Sequence, residues 1–505
     1  MSELRAEETL RDAQREDEEP PRRLGIGALA QDTVIYGGTR VLLKSLAFLL
    51  VPLYAHYLSP SEFGVLELVL ATTALVDVFI NLPGALARFY FDRDDPTWRR
   101  QVISLYFTIE AVYPAVLVGA LMAFSGPLAE GIVGGTTFAA FFLIAFADLY
   151  LTNIVDLPMN LCRLRRKPVT FATYSLIRGL TQIAFAVPLV AVWHFGVKGI
   201  LVASLVSVCV AFVVTLREYV RDLTRQLDWG IGREMIAFAW PTIVSGLAFY
   251  ALNLVDRFFV RYYHGTADTG LYGTAFRFSQ IVVVGVFAFR MGWPQWHYSW
   301  LRSERHPEMV ARGAAYYFFG IGMLAALVSL WILPVFHVVM PERYWDATTA
   351  VPPLALAAAG AGAYTVFVVG LSVTKRMRLI PPLAIAGALV AVALYFLLIP
   401  PFSFIGAAWS TATAMWTLAL LVLVAGQRIY PIPWDWYRIG LAVGLTVALC
   451  LLALALDKWM PIAASLPVRA ALLVSYPLVL AALGFFPPEH LARARSSLRK
   501  LLRLR

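Results

Sequence analysis

Charged and amide side chains recur at helical spacing inside runs that are otherwise apolar. Arg40 and Lys44 stand four residues apart, as do Asp77 and Asn81, and Asn253 and Arg257, while Arg277 and Gln280 stand three apart. Residues three or four apart share one helical face, so each pair presents its polar groups together. Guanidinium groups hold phosphate oxygens through paired, charge-assisted hydrogen bonds, and an ammonium holds them as a point charge. Asn and Gln amides suit partners rich in hydroxyls. Arg40, Lys44, Asn81, Asn253, Arg257, Arg277 and Gln280 are therefore the candidate binding residues for an anionic, hydroxyl-rich ligand. A plainer role stands beside this one. Arg257 pairs with Asp256 or Asp77 to lock helices, Arg277 and Lys44 do likewise, and Arg40 reaches back to lipid headgroups.

Acids inside apolar runs suggest a second chemistry. Asp77, Glu110, Asp148 and Asp256, with Asp156 and Arg178 close in sequence to Asp148 and the following run, are candidates for coupling to Na⁺ or H⁺. A packed intramembrane ion-pair network is the alternative. Cys162, Cys209 and Cys450 form no spaced pair. There is no metal-spaced cluster, no phosphate-binding glycine loop and no nucleophile-base constellation, so neither a catalytic residue nor a cofactor is expected. The stretch "MGWPQWHYSW" reads as an interfacial aromatic belt, with His297 and His306 as surface residues rather than ligands.

The elements that position these groups are membrane helices. The chain has 505 residues, is 60% hydrophobic and only 15% charged, and its mean hydropathy is +0.70, which excludes a soluble globular protein. Fourteen apolar runs are long enough to span: 32–57, 65–90, 101–124, 136–160, 169–193, 196–219, 235–262, 268–290, 312–334, 350–373, 379–399, 403–425, 437–457 and 466–488. The net charge of +10 follows topology and does not point to nucleic acid. Loops "FDRDDPTWRR", "CRLRRKP", "REYVRDLTRQ", "RSERHPE" and "TKRMR" are basic, while the alternate loops "LSPSEFG" and "SGPLAEGIVGGT" carry no Lys or Arg. This positive-inside pattern puts both termini in the cytoplasm. The charged opening Met1 to Arg23 lacks the apolar core of a signal peptide and reads as a cytoplasmic tail. The basic tail 489–505 either lies on anionic headgroups or is a solvated topogenic segment.

An internal repeat organises the spans. "YLSPSEFGVL" (57–66) returns as "YHGTADTGLY" (263–272), matching Tyr57, Glu62 and Gly64 to Tyr263, Asp268 and Gly270 at an offset of 206. Gly199 and Gly406 follow at 207, and "ALAR" and "FAFR" place Arg88 and Arg290 alike. The expected architecture is all-α. A tail (1–31) precedes two six-helix lobes (32–225 and 226–430), an extra helix pair (431–488) and the basic tail (489–505). Two lobes entering from the same side enclose a cavity suited to alternating access.

Three stretches resemble a known family. "LLKSLAFLLVPLYAHYLSPSEFGVLELVLATTALVDVFINLPGALARFYFD" is similar to the opening of polysaccharide-biosynthesis flippases of the multidrug/oligosaccharidyl-lipid/polysaccharide exporter superfamily. "FAWPTIVSGLAFYALNLVDRFFVRYYHGTADTGLYGTAFRFSQ" resembles the start of their second lobe, and "LCRLRRKPVTFATYSLIRGLTQIAFAVPLV" resembles their span 4–5 connection. The resemblance covers residues 30 to about 430. It implies a central cavity lined by spans 1, 2, 7 and 8, and transport of a polyprenyl-diphosphate-linked oligosaccharide to the outer leaflet of the inner membrane. O-antigen or lipopolysaccharide assembly is the implied setting, with polymerase machinery as a partner. The rivals are a drug/cation antiporter of the same superfamily, a major-facilitator carrier, and a membrane polymerase, ligase or glycosyltransferase. The antiporter needs acidic contacts, and the enzymes need larger outer loops than this chain has.

Overall fold

The computed structural model describes residues 26–486 apart from 83, 221–222 and 225–226, and omits the side chains of 26–34, 40, 41, 44, 47, 217, 219 and 220. The terminal tails 1–25 and 487–505 and the Arg40 and Lys44 side chains therefore lie outside the described residues. The helices are α1 (Ile26–Tyr57), α2 (Pro60–Ile80), α3 (Ala85–Tyr90), α4 (Pro96–Ala123), α5 (Ser125–Val133), α6 (Ala139–Leu164), α7 (Pro168–Val187) and α8 (Gly196–Val220). They continue with α9 (Trp229–Asn253), α10 (Asp256–His264), α11 (Thr266–Ser299), α12 (His306–Val339), α13 (Val351–Phe367), α14 (Val369–Val373), α15 (Ile380–Ile429), α16 (Trp436–Trp459) and α17 (Ile462–Ala482). No strand occurs among the described residues.

Local chemistry sets the helix starts. Ser59 and Glu62 form a capping box ahead of α2, in which the Ser59 hydroxyl accepts the Glu62 N–H and the Glu62 carboxylate accepts the Ser59 N–H. Asp95, Asp228 and Asp435 cap α4, α9 and α16 with side-chain oxygens. Proline follows the cap at Pro60 and Pro96, where its missing N–H costs nothing.

Twelve helical segments among the described residues are long and apolar enough to cross a membrane, so the chain is a multi-pass membrane protein. The sequence expectation of fourteen differs at two places. The 50-residue α15 is broken at Ser403 (φ 49, ψ −137), just past Pro400 and Pro401, which have no N–H to donate. Its two limbs occupy the runs 379–399 and 403–425. α1 (Ile26–Tyr57) covers the first expected run, 32–57, and lies outside the twelve because only its part Phe48–Tyr57 is described without interruption. The Ala/Gly-rich stretch containing α13 is 83% buried and forms the axis of the C-terminal half, whereas α17 is 17% buried at the edge.

The halves of the chain meet most tightly where α2 crosses α11. A Cβ on Gly64 would sit 1.8 Å from the Thr266 carbonyl oxygen, and one on Gly270 would sit 1.9 Å from that of Pro60. Pro60 and Thr266 are themselves 206 apart, so the contact is reciprocal at the repeat offset. Only glycine lets two backbones come this close. The Ser61 and Thr266 hydroxyls bond at 2.5 Å beside the crossing. At the same cation-poor end, Arg343 donates to the Ala55 and His56 carbonyls, Tyr344 to that of Leu58, and Arg261 to that of Val133. At the basic end, Ile231, Met235 and Ala239 of α9 pack into a cluster with Leu86, Trp98 and Ile103.

Gly64→Ala and Gly270→Ala each drive a methyl group into a facing carbonyl, an overpacking cost of about 1–3 kcal/mol. Both variants should unfold at a lower temperature than wild type in detergent. Gly440→Ala, which meets nothing within 4 Å, should match wild type in the same melting assay.

Candidate functional site

A chain of buried charges runs from the Gly64–Gly270 crossing into the protein. α9 ends where Leu254 leaves helical geometry (φ −135, ψ −22), and α10 restarts two residues later with Asp256 and Arg257 at its buried face. The Arg257 guanidinium donates to Glu67 of α2 at 3.0 Å, to Asp256 at 3.0 Å and to the Asn253 carbonyl at 2.9 Å. The other Glu67 oxygen accepts two bonds from Arg277 of α11, at 2.8 and 2.6 Å. Asp256 also accepts from Tyr272 at 2.5 Å and from Thr411 at 3.1 Å. Phe276 lies 4.4 Å from the Arg257 guanidinium carbon and Phe63 lies 5.2 Å from that of Arg277. Two acids face two guanidiniums, so the group is neutral overall, and every buried charge has charge-assisted partners.

The two arginines differ in access. The Arg257 side chain is 2% exposed and that of Arg277 is 28% exposed. Arg277 lines two cavities. One, about 250 Å³, lies in the N-terminal half and is walled by Asp148, Thr152, Arg178, Gln182 and Ser204 among apolar residues. The other, about 680 Å³, is a mainly apolar groove between α1, α11 and α12, walled by Phe48, Leu49, Gln280, Ile281 and Leu324. Leu49 and Ile281 are exposed, so the groove is open and not enclosed.

The structure sorts the candidates of the sequence. Arg277 and Gln280 stand on cavity walls, one turn apart on α11. Arg257 and Asp256 do not. Both are buried in the charge chain, because α10 turns them toward Glu67, Tyr272 and Thr411. Asn253 donates its amide to the Phe249 carbonyl at 2.7 Å, and Asn81 ends α2, its N–H on the Asp77 carbonyl. Asp77 receives the Asn153 amide at 3.5 Å, Glu110 accepts the Leu82 N–H at 3.1 Å where α2 stops, and Asp148 accepts from Ser204 at 3.0 Å. His297 and His306 are buried rather than superficial. α11 continues to Ser299 and folds back on α12, which encloses both rings and sets His306 Nδ1 2.7 Å from the Tyr430 hydroxyl.

Sequence reasoning missed Glu67, the central acid. Its signal was the repeat: the position 206 residues on is Gly273, whose missing side chain leaves room for the Glu67 carboxylate. It also missed Arg469. This fully buried residue of α17 pairs with Asp457 of α16 and donates to the Leu330 carbonyl at 2.6 Å, pinning the extra helix pair to α12.

Residues 29–292 match the family model described as polysaccharide biosynthesis protein. No curated protein sequence matches the chain. The fold is similar to that of lipid II flippase MurJ in its inward closed conformation, with TM-score 0.68 and 12% identity over 89% of this chain and 98% of that one. It is similar to an inward-facing multidrug resistance MATE family transporter of the MOP superfamily, with TM-score 0.66 and 12% identity over 79% and 94% of the two chains. A MOP superfamily transporter from Pyrococcus furiosus, whose binding pocket is described as having reverse polarity, matches with TM-score 0.55 and 13% identity over 83% and 96%. At these identities the likeness is one of fold.

Arg257→Met leaves Asp256 without its guanidinium, and removing one partner of a buried ion pair costs about 3–5 kcal/mol. The variant should give less folded protein and a lower melting temperature. Arg277→Met leaves Glu67 paired with Arg257 and the group one negative charge over beside a cavity, so it should lower the melting temperature less than Arg257→Met does; equal loss by both would contradict the difference in burial.

Proposed function

The chain belongs to the polysaccharide biosynthesis protein family, and on that premise we propose that it is a flippase for a polyprenyl-diphosphate-linked oligosaccharide. The cargo moves from the cytoplasmic to the outer leaflet of the inner membrane, for assembly of a surface polysaccharide of the O-antigen type. The observation that carries this reading is the place of Arg277, the cation shared by an open apolar groove and a polar cavity. A polyprenyl tail stays in lipid or the groove while its diphosphate reaches the guanidinium. Phosphate oxygens then replace the single Glu67 oxygen that accepts both Arg277 bonds, and two of them can take the guanidinium as a bidentate pair.

That exchange also supplies coupling to conformation. Glu67 and Arg277 belong to opposite halves of the chain, so a ligand that takes Arg277 weakens a tie between them. A ligand shifts an equilibrium by its differential affinity for the two states, and here the differential interaction is one acceptor exchanged for another. The halves 32–225 and 226–430 rock against each other, and the pair 431–488 travels with the second half through Arg469. Basic loops and both termini face the cytoplasm. Coupling to Na⁺ or H⁺ through Asp77 or Glu110 belongs to the same proposal. The reading assigns no bond-making step, so the protein is not an enzyme. Against a cation exporter, the one acid on the polar cavity wall, Asp148, faces two cations, Arg178 and Arg277.

Arg277→Ala should reduce surface glycan and leave the lipid-linked precursor in the inner leaflet, with protein abundance unchanged. Losing charge-assisted hydrogen bonds of about 1.5–3 kcal/mol predicts a fall of about 10- to 100-fold in export rate. Arg277→Lys should restore part of it, and full export by the Ala variant would remove the residue from the passage.

A further inference from the structure

The 250 Å³ cavity beyond Arg277 is built unlike the groove on its other side. α6 contributes Asp148 and Thr152, one turn apart; α7 contributes Arg178 and Gln182, also one turn apart; and α8 contributes Ser204. Three helices thus turn polar groups into one space inside an apolar bundle, where each such group is costly unless it has a partner. Their mutual bonds do not use their capacity. Arg178 donates to the Thr152 hydroxyl at 2.8 Å, which leaves most of its five N–H donors for other partners. Asp148 accepts from Ser204 through one oxygen. Gln182 makes no side-chain hydrogen bond among the described residues. Tyr54, Leu50, Leu66 and Leu149 supply an apolar floor.

We propose that this cavity is a sugar subsite that reads the first sugar of the cargo, the one joined to the diphosphate. The inference rests on the flippase reading and adds a specificity to it. With the diphosphate on Arg277, the sugar attached to it is the group that meets the cavity mouth. The lining matches a pyranose: Asp148 accepts from ring hydroxyls, Arg178 donates to ring or acetamido oxygens, and Gln182 does both. The leucines and Tyr54 meet the C–H face of the ring. The cavity, about 250 Å³, is on the scale of one sugar ring and not of a long repeat unit. The ligand class is a pyranose with free hydroxyl or acetamido groups, for which an N-acetylhexosamine is the probe.

The test compares two probes on the purified full-length protein in nanodiscs: undecaprenyl diphosphate and undecaprenyl-diphospho-N-acetylglucosamine. Wild type should bind the sugar-bearing probe about tenfold more tightly. Gln182→Ala and Asp148→Asn should each bring the two affinities within about threefold of each other by weakening only the sugar-bearing probe. Unchanged binding of the bare diphosphate by these variants shows that they are folded. Equal affinities in wild type, or a ratio that both variants preserve, would overturn the subsite and leave the flippase reading standing. Loss of both probes together in both variants would assign these residues to the fold and overturn it as well. Failure of wild type to bind either probe would sink the flippase reading, and the subsite with it.

Discussion

One carboxylate shared by two guanidiniums governs the centre of this molecule. Glu67 is buried, comes from the N-terminal half, and accepts from Arg257 and Arg277 of the C-terminal half. A lone acid or a lone arginine at such depth would be costly. Held together, and extended by Asp256 with its Tyr272 and Thr411 donors, the charges cancel. The requirement for cancellation dictates the surrounding backbone. α10 must begin at Asp256 so that neighbouring side chains turn inward, and Gly273 must lack a side chain so that Glu67 can lie against α11. The Gly64–Gly270 crossing brings the two helices close enough for these bonds to form.

The same constraint explains why two arginines that look alike in sequence have different surroundings. Arg257 has Asp256, Glu67 and the Asn253 carbonyl around it, so its donors are committed inside the protein. Arg277 has the single partner Glu67 and open space on two sides. A guanidinium held wholly by protein gives rigidity; one held on a single edge keeps donors for a ligand. The distinction lies in packing and not in residue type.

Much of the fold was legible in the sequence, for local reasons. Hydropathy placed the apolar runs, including the separation of 379–399 from 403–425 at the break in α15, but not the caps at Ser59 and Asp95 that start α2 and α4 ahead of those runs. The repeat offset anticipated more than its glycines alone could say, since Gly64 and Gly270 turned out to face each other. The site was legible only in part. Arg277 and Gln280 could be placed on one face from spacing. Whether Arg257 faced a chamber or an acid could not be read, because its partner Glu67 lies 190 residues away. Glu67 itself escaped notice because it sits seven residues into α2, where an acid reads as belonging to the water-facing end. The histidines were misplaced because the loop after α11 is shorter than hydropathy implied.

An ion pair at the centre also suits the proposed transport better than an isolated cation would. A bare guanidinium in a dry chamber would hold a diphosphate strongly in every conformation, and uniform tight binding does not drive a cycle. With Glu67 present, the protein carries its own competitor for Arg277. In the proposed cycle the return of the carboxylate displaces the cargo and restores the tie between α2 and α11. Arg257 keeps Glu67 positioned throughout, so the competitor has no second place to go. In this scheme the buried arginine, which touches no cavity of those described, sets the affinity of the exposed one by holding the acid between them.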